Sequence, residues 1–309
     1  MSNISSIITT LKPNCLESNQ RFAEAITRSA SEQTYFTIRL LVDRDRVEDA
    51  YRAYAYFRWL DDQLDEGRMT KRERLQFVEC QQRLVEHCYR GEWPRSASDE
   101  ESMLVELIRS ERGQRSGLRS YIRNMLAVMA FDAERRGRLI SADELNEYTH
   151  NLAAAVTEAM HHFIGHGCKS PQDQTRYLAV RAAHITHMLR DTLDDIEAGY
   201  FNIPREYIDT YRIDPRDVQS EAYRAWIKER VGLARTCFQA GRRYLARVEN
   251  LRCRIAGFAY TARFESVLSF IEYDDYYLRS IYPEYKNWIS DLSMGWLAIS
   301  RAFIPQPIV

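Results

Sequence analysis

Apolar residues recur along this chain every three to four positions and hardly anywhere alternate. Ala50, Ala53, Phe57, Leu60 and Leu64 fall on one stripe of a helix, and Leu189, Leu193 and Ile196 form another. The periodicity predicts helices from just after Asp45 to about Glu66, and over roughly 71–90, 101–110, 116–136, 141–165, 171–198, 216–249 and 254–280. Turn residues punctuate them at Trp93-Pro94, Arg112-Gly113, Gly165-His166-Gly167, Gly199 and Pro204. Ser141 with Glu144 three residues on reads as a capping box for the helix carrying Tyr148. Residues 1–18 read as a loose leader, with helical periodicity beginning near Arg21. Nothing alternates with period two over a useful length, so the expectation is an all-α chain forming a single domain over residues 1–309.

Composition agrees with long helices: 45% of residues are hydrophobic, with only 12 Gly and 8 Pro. The formal net charge of -1 argues against a nucleic-acid partner. The six cysteines (Cys15, Cys80, Cys88, Cys168, Cys237, Cys253) are scattered without a Cys-x-x-Cys pair and read as reduced thiols. No signal peptide and no uncharged run long enough to span a membrane are visible, so a cytoplasmic protein is expected. The apolar run Leu292–Ile304 contains Arg301 and reads either as a core helix or as a peripheral membrane contact.

Two acidic segments change the picture. Residues 58–65 read Arg-Trp-Leu-Asp-Asp-Gln-Leu-Asp; on a helix Asp61 and Asp65 lie one turn apart, with Arg58 three residues earlier and Tyr51 and Tyr54 behind it. Like charges at this spacing repel, so a neutralising group is needed unless the face is simply solvated. Residues 184–195 repeat the pattern: Asp191 and Asp195 are four apart, His184 and His187 share their face, Arg190 is adjacent, and Gly199 follows as a stop signal. Two such pairs, each with an arginine beside it, suit hard divalent cations such as magnesium, which accept carboxylate, water and phosphate oxygens. A cation between carboxylates and a diphosphate reverses an otherwise repulsive encounter and improves the leaving group. The 19 Tyr, 12 Phe and 5 Trp could wall a dry pocket for an allylic cation, although most aromatics at helical spacing are ordinary core.

Together these residues resemble the squalene/phytoene synthase family of isoprenoid synthases, from about Ser29 to Ser280. The strongest pieces are Ala53-Tyr54-Ala55-Tyr56-Phe57-Arg58 with Asp61 to Asp65, and Leu189-Arg190-Asp191 through Asp194-Asp195 to Gly199 and Pro204. Asp132, Glu144-Leu145, Tyr148 and Ala153–Val156 resemble its central helices, and Phe264–Glu272 its C-terminal helix. The resemblance implies an all-α isoprenoid-synthase fold around a central cavity. It implies that Asp61, Asp65, Asp191 and Asp195 hold about two or three magnesium ions, and that Arg58, Tyr54 and Tyr148 contact the diphosphate of a prenyl substrate; Arg190, His184 and Ser31 are read beside them as further substrate contacts. The implied reaction is Mg-dependent head-to-head coupling of two prenyl diphosphates with release of diphosphate; use of NADPH and the oligomeric state stay open.

The chain departs from the family pattern at several points. The family usually has Gln and Asn where His184 and His187 stand, Arg and Tyr where Tyr200 and Asn202 stand, and Tyr where Phe264 stands; its N-terminal His-Ser-like segment is only echoed by Ser31, Glu32 and Thr34. His184 or His187 could tune the diphosphate site or, in the case of His187 above all, accept a proton; both could equally be hydrogen-bonded structural residues. The departures leave two alternatives: the same ionisation with a non-prenyl (aromatic) acceptor or terpene cyclisation, and a non-catalytic helical assembly factor. Three other signals are set aside. His161, His162, His166 and Cys168 lack a zinc spacing, Glu158-x-x-His161 lacks a second half-site, and Arg135-Arg136-Gly137-Arg138 reads as a solvated charge run.

Overall fold

The structure, a computed structural model, describes residues 13–65, 69–111 and 117–282. Among them every regular element is helical, apart from one isolated parallel bridge between Ile140 and Pro204. The chain gathers into two compact units, residues 1–114 and 115–309.

The first unit contains α1 (Pro13–Ala30), α2 (Glu32–Leu41), a 3-10 turn (Arg44–Arg46), α3 (Val47–Asp65), α4 (Lys71–Tyr89) and α5 (Asp99–Ser110). Residues 13–18 are therefore helical and not part of a loose leader; residues 1–12 lie outside the described residues. The apolar stripe of α3 is buried as its period predicts, with Leu60 at 0% exposure. Tyr51, expected on the acidic stripe, instead joins the core and stacks on Tyr35 at 5.8 Å between ring centroids. The Tyr56 hydroxyl donates to Gln81 Oε1 at 2.9 Å, and Gln81 Nε2 donates to Glu101 at 3.0 Å, so α3, α4 and α5 share one buried polar relay.

The second unit contains α6 (Gly117–Arg135), α7 (Ala142–Phe163), α8 (Leu178–Arg190), α9 (Thr192–Ala198), α10 (Arg205–Tyr211), α11 (Glu221–Ala246) and α12 (Leu251–Tyr273). Its core joins Ile185 and Leu189 of α8 to Ile227, Val231 and Phe238 of α11 and Phe264, Leu268 and Ile271 of α12. The Ser141–Glu144 capping box is present, with both reciprocal bonds made (3.1 and 2.7 Å). The helix expected over 171–198 starts only at Leu178 and breaks at Asp191, where the Thr192 hydroxyl bonds back to the Met188 carbonyl at 2.7 Å. The i,i+4 relation survives, because the Asp195 amide still donates to the Asp191 carbonyl at 2.8 Å. Gly199, at φ +89°, ends α9 in a Schellman motif: its amide reaches the Ile196 carbonyl and the Tyr200 amide reaches that of Asp195. The segment after it is stitched to the α6–α7 turn by Gly137 N–H to the Gly199 carbonyl and Arg205 N–H to the Ile140 carbonyl, each 2.8 Å. Leu292–Ile304 and Arg112-Gly113 lie outside the described residues; among those described, no helix is long and apolar enough to cross a membrane.

A buried polar cluster staples the far end of this unit. Arg176, 5% exposed, makes a bidentate pair with Glu158 (2.7 and 3.1 Å) and donates to the Tyr244 hydroxyl at 2.9 Å. Tyr244 in turn meets His161 Nε2 at 2.8 Å. Truncating one partner strands the other's charge, and the loss is far larger than the net worth of the pair. Arg176→Met is therefore expected to lower the unfolding free energy by about 3 kcal/mol, read from urea denaturation.

Candidate active site

In the first unit the site residues lie along one face of α3 and the start of α2. Ser31 is the N-cap of α2: its hydroxyl accepts from the Thr34 amide at 3.2 Å and from the Thr34 hydroxyl at 2.9 Å. Both hydroxyls also reach the Tyr54 hydroxyl, whose pKa is raised, chiefly by burial and against the pull of Arg58. Arg58 turns along its own helix, pairing with Asp62 through Nε at 3.1 Å and through Nη2, and standing 3.7 Å from Asp61. The Asp61 side chain is 42% exposed and Asp65 is exposed at the helix end, so this acidic pair faces water.

In the second unit Asp191 is heavily engaged. Arg190 grips it bidentately (Nε–Oδ1 2.5 Å, Nη2–Oδ2 2.7 Å), and His187 Nδ1 approaches Oδ2 at 3.2 Å. Arg190 Nη2 also meets His187 Nε2 at 3.0 Å. A guanidinium only donates, so Nε2 must carry the lone pair and Nδ1 the proton that faces Asp191. Burial pushes the imidazole down to about 4, with Asp191 opposing, while 48% of the side chain stays exposed. His187 is thus a neutral ring whose acceptor nitrogen is already occupied. His184 is pushed lower still, to about 3, by burial and then by His187 and Arg263, and its Nε2 is buried with no hydrogen-bond partner.

Asp195 differs from Asp191. Asn202 Nδ2 donates to its Oδ2 at 2.7 Å. Burial raises its pKa to about 7, opposed by Arg135 and the Asn202 bond and helped by Asp191. Arg135 is 5% exposed and hydrogen-bonded on two sides, to Asp132 (2.6 Å) and Asn202 (2.8 Å). The solvated charge run expected here is therefore wrong at its first member: segment 198–206 folds over the end of α6 and covers Arg135. The Tyr148 hydroxyl donates to the other Asp132 oxygen at 3.1 Å. Tyr148, expected at the site, is thus joined to Asp195 through Asp132, Arg135 and Asn202; the sequence marks Asp132 by its likeness to the family, Asn202 only as a departure from it, and Arg135 only as part of a charge run.

The Asp195 shift has a sign. A carboxyl whose pKa is higher folded than unfolded binds an extra proton in the fold between about pH 4 and 7, and stability falls as pH rises through that window. Asp195→Asn removes this loss. Urea denaturation is expected to find the variant gaining on the wild type between pH 4 and 7 and level above it.

Among the described residues no three His, Cys, Asp or Glu side chains stand together as a ready-made metal site. Each acidic pair offers two carboxylates one turn apart, which suits magnesium, an ion that binds one or two carboxylates and takes its remaining ligands from water and phosphate.

The squalene/phytoene synthase family model matches residues 27–287. The chain belongs to the squalene/phytoene synthase family. It is accordingly a transferase of prenyl groups in isoprenoid biosynthesis. The fold agrees. A dehydrosqualene synthase crystal structure in complex with a ligand superposes with a TM-score of 0.72 at 15% identity, covering 92% of this chain and 96% of that one. The squalene synthase HpnC from Alicyclobacillus acidocaldarius gives 0.67 at 18% identity, covering 86% and 98%. No curated protein matches significantly. Phe264, where the resemblance leads one to expect a tyrosine, is 2% exposed, with its ring 6.2 Å from His187 and 5.4 Å from Tyr260. The second acidic motif therefore has an apolar ring and two neutral imidazoles beside it.

Proposed function

We propose that this protein couples two prenyl diphosphates head to head with loss of diphosphate, in a magnesium-dependent reaction, and that residues 1–309 act as one synthase domain. The observation that carries the reading is the pair of i,i+4 carboxylate motifs, Asp61/Asp65 and Asp191/Asp195, each with an arginine beside it, in a chain whose family match spans both. Magnesium, when bound, neutralises the diphosphate and makes it a leaving group.

The chain's own residues do the rest. Asp61, Asp65, Asp191 and Asp195 supply oxygen ligands. Asp195 contributes the oxygen that Asn202 does not use. Asp191 retains one unused lone pair on Oδ1, since Arg190 and His187 take the others. Arg58, Arg190 and Tyr54 contact diphosphate oxygens, with Ser31 and Thr34 orienting Tyr54. Tyr148, held by Asp132, presents its ring and hydroxyl to the substrate. His187 acts as a neutral positioner of Arg190 and Asp191; the role of proton acceptor does not fit a ring whose Nε2 already accepts from Arg190. A peripheral membrane contact fits greasy products.

A second reading keeps the ionisation but changes the acceptor to a non-prenyl molecule, or cyclises one substrate. The neutral His184, whose Nε2 has no partner, favours it, because that nitrogen is able to hydrogen-bond an acceptor molecule. Incubating the protein with magnesium and C10, C15 or C20 prenyl diphosphates, with mass spectrometry of the organic extract, separates the two. A C30 or C40 hydrocarbon supports coupling. A monomeric terpene, or product only after an aromatic acceptor is added, supports the second reading.

A further inference from the structure

Four hydrogen bonds run in series through the second unit: Tyr148 to Asp132, Arg135 to Asp132, Arg135 to Asn202, and Asn202 to Asp195. Arg135 is the middle link. We propose that Arg135 is a positioning residue for the second acidic motif, a buried guanidinium clamp that acts through Asn202 to present Asp195 with one oxygen fixed and the other free. This rests on the reading above that Asp195 serves a diphosphate-bound metal.

The geometry leaves little freedom. Arg135 Nη1 can only donate, so it selects the oxygen of the Asn202 amide. The Asn202 nitrogen is thereby turned to Asp195 Oδ2. Arg135 cannot drift, because Asp132 holds Nε at 2.6 Å and the rings of Tyr148 and Tyr200 lie 4.7 and 4.8 Å from the guanidinium carbon. Asp132 spends one oxygen on Arg135 and the other on Tyr148, so the same clamp sets the pose of Tyr148. Asn202 is 4% exposed and Tyr200 7%, so water does not compete for these bonds. The backbone stitches from Gly137 to Gly199 and from Arg205 to Ile140 keep the two sides of the clamp in register. A planar guanidinium serves two acceptors in different directions at once; an ammonium at the same place keeps the charge but not that fork.

The test is calorimetric titration of magnesium into the full chain with inorganic pyrophosphate, with a circular-dichroism melt of each variant. Arg135→Met, Arg135→Lys and Asn202→Leu are each expected to weaken magnesium uptake about 10- to 100-fold, the range seen when partners that orient a ligand are removed. The double variant Arg135→Met/Asn202→Leu is expected to be no weaker than Arg135→Met, because both cut one chain. Arg135→Lys is expected to melt near the wild type yet keep the metal defect, which a purely structural role would not produce. Wild-type affinity in Arg135→Lys or Asn202→Leu, or additive losses in the double variant, overturns the clamp, and these two carry the test if Arg135→Met does not fold. If the wild type itself takes up no magnesium with pyrophosphate, the functional reading falls and the clamp with it. If the wild type binds and the variants bind equally, the clamp alone falls.

Discussion

Asp61→Asn and Asp195→Asn are each expected to slow diphosphate release about a thousandfold or more, an effect of roughly 4 kcal/mol in transition-state stabilisation. Asparagine keeps the shape and loses the charge that a divalent cation needs. Neither change should damage the fold. Asp61 is 42% exposed, and Asp195 is a carboxyl that burial already pushes toward its neutral form. An inactive protein that melts at or above the wild-type temperature is thus the expected signature. Asp62, one residue along and paired with Arg58, is the control: Asp62→Asn should cost less than about tenfold, about 1.4 kcal/mol. Coupled detection of pyrophosphate gives kcat/KM for all three. Equal losses at positions 61 and 62 would mean that α3 carries a general negative field and not a ligand pair.

Withdrawal of magnesium is expected to abolish turnover altogether and to leave the helices intact. The buried cores of both units are mainly apolar and their helices are packed without an ion, so a chelator should not alter the circular-dichroism spectrum. Activity should return with magnesium and fail to return with calcium, whose larger, looser coordination shell does not match a site of few carboxylates. Magnesium and pyrophosphate together should also raise the melting temperature, because they bind only the folded chain; at a hundredfold excess over Kd the gain is about 2.7 kcal/mol. Turnover that survives chelation would contradict the account.

The all-helical class was readable because nearly every long helix carries an apolar stripe at its own period. Leu60 and Leu189, picked from that stripe, are at 0% and 1% exposure. Short helices escaped. α2 and α10 bury only two residues and one, too few to leave a period, and each is preceded by an N-cap residue that also fits a turn, Ser31 and Pro204. The break at Asp191 was hidden because no glycine or proline marks it. The four aspartates and their arginines were visible as spacing. Arg135 was not, since Arg-Arg-Gly-Arg at a helix end looks solvated until another segment covers it. One local signal was present: Asp132 stands three residues before it, on the same helix face. Nor could spacing reveal that Arg58 pairs with Asp62, or that Arg190 and His187 hold Asp191, because side-chain direction is settled by packing.

A crystal structure of the protein soaked with magnesium and inorganic pyrophosphate tests the central claim most directly. The account predicts metal ions bridging one pyrophosphate, with carboxylate oxygens from Asp61 or Asp65 on one side and from Asp191 or Asp195 on the other. Pyrophosphate bound without metal, or metals held by one acidic pair while the other pair takes no part, would contradict it.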